Sequence, residues 1–528
     1  MHSARRWFAI LSTAWMICAA GDGVAMAQER RPNIVMIVAD DLGYADIGVH
    51  GSKDIPTPNI DALAKVGIRF TDAYVTGPHC SPTRAGLLTG RYQQRFGHEV
   101  NMGAGAGPDA GLSLGETTMA DRLKAAGYRT ALFGKWHLGS AERLHPLARG
   151  FDEFYGFTGG DHSYFEAGPN ATNLLLEGRR PVEATGYLTD VLTDRAVDFI
   201  KREKLRPFFL YLAYNAVHTP MDAPDKYLSR VKGIADQQRR TYAAMVSALD
   251  DGVGRTLDAL RAEGLEENTL VFFFSDNGGP TMQGTTINGS NNAPLRGSKR
   301  QTWEGGIRVP FIMRWKGRLA EGKIDSRPII QLDILPTALA AAGVATKSEW
   351  KLDGVNLLPY LTGKDQRPPH EALYWRLFAH MAIRKGPWKL VKTMEGPLLF
   401  SDTTQPDLSG AQLFNLADDI GEQKDLAAAR PDKVKELTDD WLRWNKEMAT
   451  PAWGPGAGER GRGNAPVLEG QPSAGHRSLG NGRILMFLHL MINDCDVVMP
   501  EPALAGRFTS RSLNPWICKP MNPRACVV

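Results

Sequence analysis

Asn33 to Ala39 (NIVMIVA) is an unbroken apolar, β-branched run. A run without alternation suits a strand covered on both faces, as in a parallel sheet. Asp40-Asp41 stand at its carboxyl end. Thr57-Pro58 opens a helix that runs through Leu63, and Ile68 to Val75 reads as a further strand. Helix Thr117 to Ala126 precedes strand Tyr128 to Phe133, and helix Thr189 to Lys204 precedes strand Phe208 to Ala213. The clearest helix is Tyr242 to Leu260, where Tyr242, Met245, Val246, Leu249, Val253, Leu257 and Leu260 recur three or four apart, and strand Leu270 to Phe274 follows. Such alternation predicts a doubly wound α/β core, a large and mostly parallel sheet between helices, with ligands gathered at the carboxyl edge of the strands.

After about Gly363 the runs shorten: Leu373 to Arg376, Met381 to Arg384, Trp388 to Lys392 and Leu413 to Leu416, then a helix with Val434, Leu437, Trp441 and Trp444 on one side. This predicts a small antiparallel α+β subdomain over 364–452 behind a main domain over 28–363. From Trp453 Gly, Pro and Arg dominate, and little order is expected over 453–528. Gly279 to Asn292 reads as a loop, and no internal repeat is found.

At the amino end, Arg5-Arg6, the apolar run Trp7 to Ala20 and Ala25-Met26-Ala27 follow the order of a signal peptide cleaved after Ala27, with a twin-arginine route as the alternative to the general one. The expected location is periplasmic or secreted, with no membrane span, because the apolar run is too short and no later one is longer. The 528 residues are 43% hydrophobic and 23% charged, which excludes collagen-like, disordered and disulfide-scaffold classes. The net charge is only +4, and most of that surplus lies after Trp453, so nucleic acid is not an expected partner. Five cysteines are present, yet between Gln28 and Asp494 Cys80 stands alone. In a compartment that permits disulfides, a solitary cysteine asks for a chemical explanation.

That cysteine opens Cys80-Ser81-Pro82-Thr83-Arg84, and Thr89-Gly90 closes the short helix. Asp40-Asp41 in ADDLGYAD, Gly134-Lys135-Trp136-His137-Leu138-Gly139, His218-Thr219-Pro220, Ser275-Asp276-Asn277-Gly278-Gly279, and Leu295-Arg296-Gly297-Ser298-Lys299 before Glu304-Gly305-Gly306 complete the set. Asp40, Asp41 and Asp276, with the amide oxygen of Asn277, form an all-oxygen group suited to a hard cation, and both pairs end predicted strands. Pro82 suits the first turn of a helix whose amino end favours an anion.

In order and content these segments resemble the type I sulfatases of the alkaline-phosphatase superfamily over roughly Pro32 to Asn445. The resemblance implies an alkaline-phosphatase-like fold, a Ca²⁺ ion, and oxidation of Cys80 to formylglycine by a maturation enzyme, with the modified side chain joining the four oxygen donors at the metal. It implies that the hydrated aldehyde attacks sulfur and later expels sulfate by losing its second hydroxyl proton. By the same resemblance Arg84 braces that group, Lys135 and Lys299 neutralise sulfate oxygens, His218 protonates the leaving alcohol and His137 assists sulfate release. His79, His98, His162 and Glu304 are weaker candidates. The expected substrate is a sulfated small molecule or saccharide. Two alternatives stay open: a phosphatase or phosphonate monoester hydrolase on the same fold, and an inactive exported binding protein that retains it.

Overall fold

A computed structural model of the protein describes residues 30–454, apart from 104–105, 166–173, 184, 284 and 394–407. The chain divides into a unit of residues 1–476 and a second of residues 477–528. The second unit, the signal peptide expected over 1–27 and the tail beyond residue 454 lie outside the described residues. Among those described, no helix is long and apolar enough to cross a membrane.

In chain order the elements are β1 (Asn33–Ala39), α1 (Pro58–Lys65), β2 (Ile68–Phe70), β3 (Ala73–Tyr74), α2 (Cys80–Thr89), α3 (Met119–Ala125), β4 (Arg129–Lys135), β5 (Glu153–Phe157), β6 (Leu176–Glu177) and β7 (Arg180–Pro181). Then come α4 (Leu188–Glu203), β8 (Phe208–Ala213), α5 (Asp225–Leu228), α6 (Gln237–Ala262), β9 (Thr269–Ser275), α7 (Glu304–Ile307), β10 (Phe311–Arg314), β11 (Lys323–Asp325), β12 (Ile329–Ile330), α8 (Ile334–Ala341) and α9 (Leu358–Leu361). Strands β13 (Ala372–Leu377), β14 (His380–Lys385), β15 (Trp388–Lys392) and β16 (Gln412–Asn415) and helix α10 (Pro431–Asn445) follow.

Ten strands form the main sheet in the order β11-β2-β10-β9-β1-β8-β4-β5-β6-β7. Its centre, from β9 to β5, is parallel, and β10, β6 and β7 introduce the antiparallel pairs. The apolar run of β1 is explained by its neighbours. Val35, Ile37 and Ala39 face a core built with α1, α4 and α6, whereas Ile34, Met36 and Val38 face one built with α2, α3 and α8. Both faces are dry, so no polar alternation survives. The second sheet, β13-β14-β15-β16, is antiparallel and packs with α10 around Trp375, Trp441 and Trp444.

Two expectations need correction. The strand expected over Ile68 to Val75 is two strands, β2 in the main sheet and β3 paired with β12. The break has a cause in the side chain of Asp72, which ion-pairs with Arg308 (2.5 Å) and Arg384 (2.7 Å). Helix α6 starts at Gln237, five residues before the periodic stretch, because the Asp236 side chain caps it by accepting from the Arg239 N–H at 2.7 Å. Its first residues are polar, which hides them from a hydrophobic pattern.

Trp375 ties the C-terminal sheet to β3 and the residue after it. It is fully buried, its indole N–H donates to the Val75 carbonyl at 2.7 Å, and its ring lies 5.2 Å from that of Tyr74. Trp375→Ala is expected to lower stability by about 3–5 kcal/mol in denaturant unfolding, and a loss under about 1 kcal/mol would show that the seam carries little of the fold.

Candidate active site

The parallel register builds the site. Ala39 of β1 lies opposite Ser275 of β9, so Asp40 and Asp276 leave adjacent strand ends together. Val38 lies opposite Ala213 of β8, which lies opposite Gly134 of β4, so Lys135 reaches the same edge. The ladder continues beyond the strands: Asp40 N–H donates to Ala216 O (3.0 Å) and Val217 N–H to Asp40 O (2.8 Å), which places His218 beside the carboxylates. Helix α2 arrives end-on, with Cys80 as its first residue, His79 as its cap and Gly90 closing it at φ 67°.

Asp40, Asp41, Asp276, Asn277, Cys80, Arg84 and Lys135 are all fully buried, Lys299 nearly so, and His137 and His218 are 7% and 9% exposed. Oxygens of Asp40, Asp41 and Asp276 lie within 4.8 Å of one another, and the Cys80 Sγ lies within that distance of Asp40 and His218 ligand atoms. Lys135 Nζ sits 2.5 Å from Asp40 Oδ2, and Lys299 Nζ 2.8 Å from Asp41 Oδ2. His218 Nε2 is 3.6 Å from Asp41 Oδ2, and its Nδ1 faces the Thr219 carbonyl at 2.6 Å. All ten residues singled out from the sequence therefore meet at one sheet edge.

Arg84 is bonded to the carboxylates. Its Nε and Nη2 donate to Asp276 Oδ2 (3.0 and 2.8 Å), and Nη1 donates to the Lys135 carbonyl (3.0 Å). It grips the carboxylate cluster and the β4 end, and Cys80 is among the groups whose charge acts on it.

Burial raises the cost of charge on Asp40, but Lys135, His218, Arg84 and Lys299 beside it more than offset this and hold its carboxyl below the usual carboxylate range. Asp276 goes the other way, lifted by burial and by the Asp40 charge. Burial pushes the Cys80 thiol up to about 11, against the pull of Lys135 and Lys299. An unmodified Cys80 is therefore a neutral thiol at physiological pH, and a poor nucleophile. Burial, with Lys135 next, holds His137 neutral, and burial with Lys299 lowers His218.

Two buried oxygens in the cluster, Asp40 Oδ1 and Asn277 Oδ1, have no hydrogen-bond partner. Buried acceptors left unmatched are costly, and two of them among three carboxylates are what a hard cation would satisfy. The donor set fits Ca²⁺ in kind: all oxygen, three of the four from carboxylates. The backbone is strained at the same place. Asp41, His137 and Arg300 hold φ at 63°, 56° and 74°, a region that costs side-chain-bearing residues roughly 1–3 kcal/mol and clusters at functional sites. Gly160 is the reason the His137 ring fits, since a Cβ there would lie 2.9 Å from its Cε1.

The weaker candidates separate. His79 adjoins the site: both its ring nitrogens are buried without a partner, and after burial itself Arg300 and Lys299 depress its protonation most. His98 instead contacts Ser81 Oγ (2.6 Å) and packs edge-on against Trp453. Trp453 is thus part of the body, its indole donating to Val100 O at 3.0 Å, although the tail was expected to begin there. His162 packs on Phe157 and bonds Ser163 O. Glu304 lies in a separate buried charge cluster. Reading the sequence missed Tyr211, which accepts from Arg84 out of an apolar strand, and Asn288, whose amide holds the carbonyls of Asp41 (3.3 Å) and Val217 (2.9 Å). Neither has a local signal.

A family model described as Sulfatase matches residues 32–344, and one described as N-sulphoglucosamine sulphohydrolase, C-terminal, matches residues 297–430. The N-acetylgalactosamine-6-sulfatase of Canis lupus familiaris is 36% identical over 405 residues, covering 72% of this chain and 75% of its own. The steryl-sulfatase of Mus musculus is 34% identical over 451 residues, covering 70% and 71%. Among solved structures, Ps i-CgsB in complex with k-i-k-neocarrahexaose superposes with a TM-score of 0.73 at 37% identity, over 82% of this chain and 96% of that one.

Proposed function

The chain belongs to the sulfatase family, and from that premise we propose that it hydrolyses sulfate monoesters of carbohydrates, using Ca²⁺ and a formylglycine made from Cys80. The observation that carries this reading is the convergence of a buried, lone cysteine with three carboxylates, three cations and two histidines at one strand edge. The aldehyde would supply, once hydrated, an oxygen nucleophile with its own route for shedding sulfate, and the cation would ease its ionisation.

The chain's own residues set the rest. Asp40, Asp41, Asp276 and Asn277 would hold the ion. With their carboxylate partners so engaged, Lys135 and Lys299 keep positive charge available for sulfate oxygens in a water-poor site, where it counts most. The Thr219 carbonyl holds a proton on His218 Nδ1, so Nε2 delivers a proton to the leaving alcohol only from the doubly protonated ring, a form that the Asp40 and Asp41 charges beside it favour against burial and Lys299. His137, neutral and with Nδ1 unpartnered, is a proton acceptor for release.

His218→Ala is expected to slow an alkyl sulfate by roughly 10²–10⁴-fold and an aryl sulfate with an acidic phenol far less, because a good leaving group needs no proton. Equal losses on both esters would remove His218 from the acid role. Comparing sulfate and phosphate monoesters of one sugar alcohol tests the function itself. The sulfate should turn over faster, and a faster phosphate would make the protein a phosphatase on this fold.

Carbohydrate substrates are supported by the name of the N-acetylgalactosamine-6-sulfatase and by the neocarrahexaose in complex with the similar structure, whereas the steryl-sulfatase's name points to a sterol ester. The amino-terminal signal pattern supports export to a periplasmic or extracellular location. Because Cys80 is fully buried at the start of a fully buried helix, its maturation enzyme must reach it before α2 packs.

A further inference from the structure

We infer that Lys389 and Glu422, contributed by the C-terminal sheet and the turn after it, are positioning residues for the sulfate-binding Lys299, acting through Glu304. The inference rests on the role assigned to Lys299 above.

Lys389 lies on β15 with its Nζ 2.8 Å from Glu304 Oε1 and 2.8 Å from Glu422 Oε1, and all three side chains are fully buried. Glu422 makes two links to the segment that carries Lys299, from a strained backbone. Its Oε2 accepts the Glu304 N–H at 2.8 Å, its carbonyl accepts from Arg296 Nη1 at 3.0 Å, and its own backbone is held at φ 53° to do so. The other oxygen of Glu304 accepts from Tyr74 OH (2.6 Å) and Arg308 Nη1 (3.2 Å). Arg384 and Asp72 complete the charges around it.

From Glu304 the path to Lys299 has no slack. Gly305 N–H donates to Arg296 O at 2.7 Å, and a Cβ on Gly306 would lie 2.0 Å from Gln301 O and 2.5 Å from Ser298 O. The turn after Glu304 is therefore pressed against the backbone on both sides of Lys299. That loop is tied at its other end by Lys299 N–H to Gly279 O (3.2 Å), next to the Asp276-Asn277 strand end. A shift of Glu304 moves Lys299 against the carboxylates. Three buried ionic side chains stabilise a fold little better than apolar ones of the same volume, so their presence calls for a reason in geometry. An ion pair with two fixed partners sets one position for Glu304, which packing of interchangeable apolar groups does not.

The test is a double-mutant cycle on full-length, matured protein with nitrophenyl sulfate as the probe. Lys389→Met should lower kcat by roughly 10–100-fold with a smaller change in KM, the scale of an ångström-level misplacement. In a Lys299→Met background the same change should cost less than about 2-fold, because the group it positions is gone. Should Lys389→Met not fold, Glu422→Gln keeps the acceptor for Glu304 and removes the charge. It should show the same pattern at smaller size. Losses that multiply in both backgrounds overturn this inference alone. A wild type inactive on every sulfate ester, or a Lys299→Met variant as fast as wild type, overturns the reading beneath it.

Discussion

Cys80→Ala is expected to abolish turnover while the protein stays folded. Removal of the nucleophile in enzymes with a covalent intermediate costs on the order of 10⁶-fold. Cys80 is the only free cysteine among the described residues. The change deletes one sulfur from a packed helix start, so stability should fall by only about 1 kcal/mol. Cys80→Ser sharpens the test. A serine hydroxyl could attack once but has no second hydroxyl to expel sulfate, so at most one equivalent of alcohol per chain should appear. Steady turnover by either variant would refute Cys80 as the reacting group.

Removal of divalent cations should produce the second large effect. Without the ion, the charges of Asp40, Asp41 and Asp276 are matched by Lys135, Lys299 and Arg84. The lysines are then held on carboxylates and are less available to a sulfate group. Exhaustive chelation should lower kcat/KM by about 100-fold or more, the scale of one electrostatic transition-state contact, and Ca²⁺ should restore it. On the proposed reading the ion binds the folded site and not the unfolded chain, so Ca²⁺ at a hundred times its Kd should add about 2.7 kcal/mol to stability. An enzyme equally active and equally stable after chelation would remove the metal from the account. Asp276→Asn should mimic the loss in part, since it keeps an acceptor for Arg84 and weakens the cation site.

The strand-end logic was legible from sequence because it depends on local runs. NIVMIVA suits a doubly covered strand, and the Asp pair after it and Asp276-Asn277 after Leu270 to Phe274 had to emerge at one edge if the strands were parallel neighbours. The register of β1 on β9 does this residue for residue. What was not legible depends on long-range partners. Asp72 breaks a strand because Arg308 and Arg384 are waiting for it, more than two hundred residues along the chain. Tyr211 lies within an apolar run and reads as core until Arg84 is seen against its hydroxyl. Arg84 was expected to brace the group made from Cys80, and its two bonds to Asp276, on a strand end far along the chain, had no signal in the sequence. The C-terminal sheet read as an appendix. Lys389 and Glu422 are ordinary charged residues in sequence, and their burial against Glu304 is a tertiary fact.

Mass analysis of the Cys80 peptide from an enzyme preparation of measured activity tests the central claim most directly. The account predicts that sulfur is lost and an aldehyde oxygen gained at this residue, in a fraction of chains that scales with specific activity across preparations. A fully active preparation whose Cys80 remains an unmodified thiol throughout would contradict it.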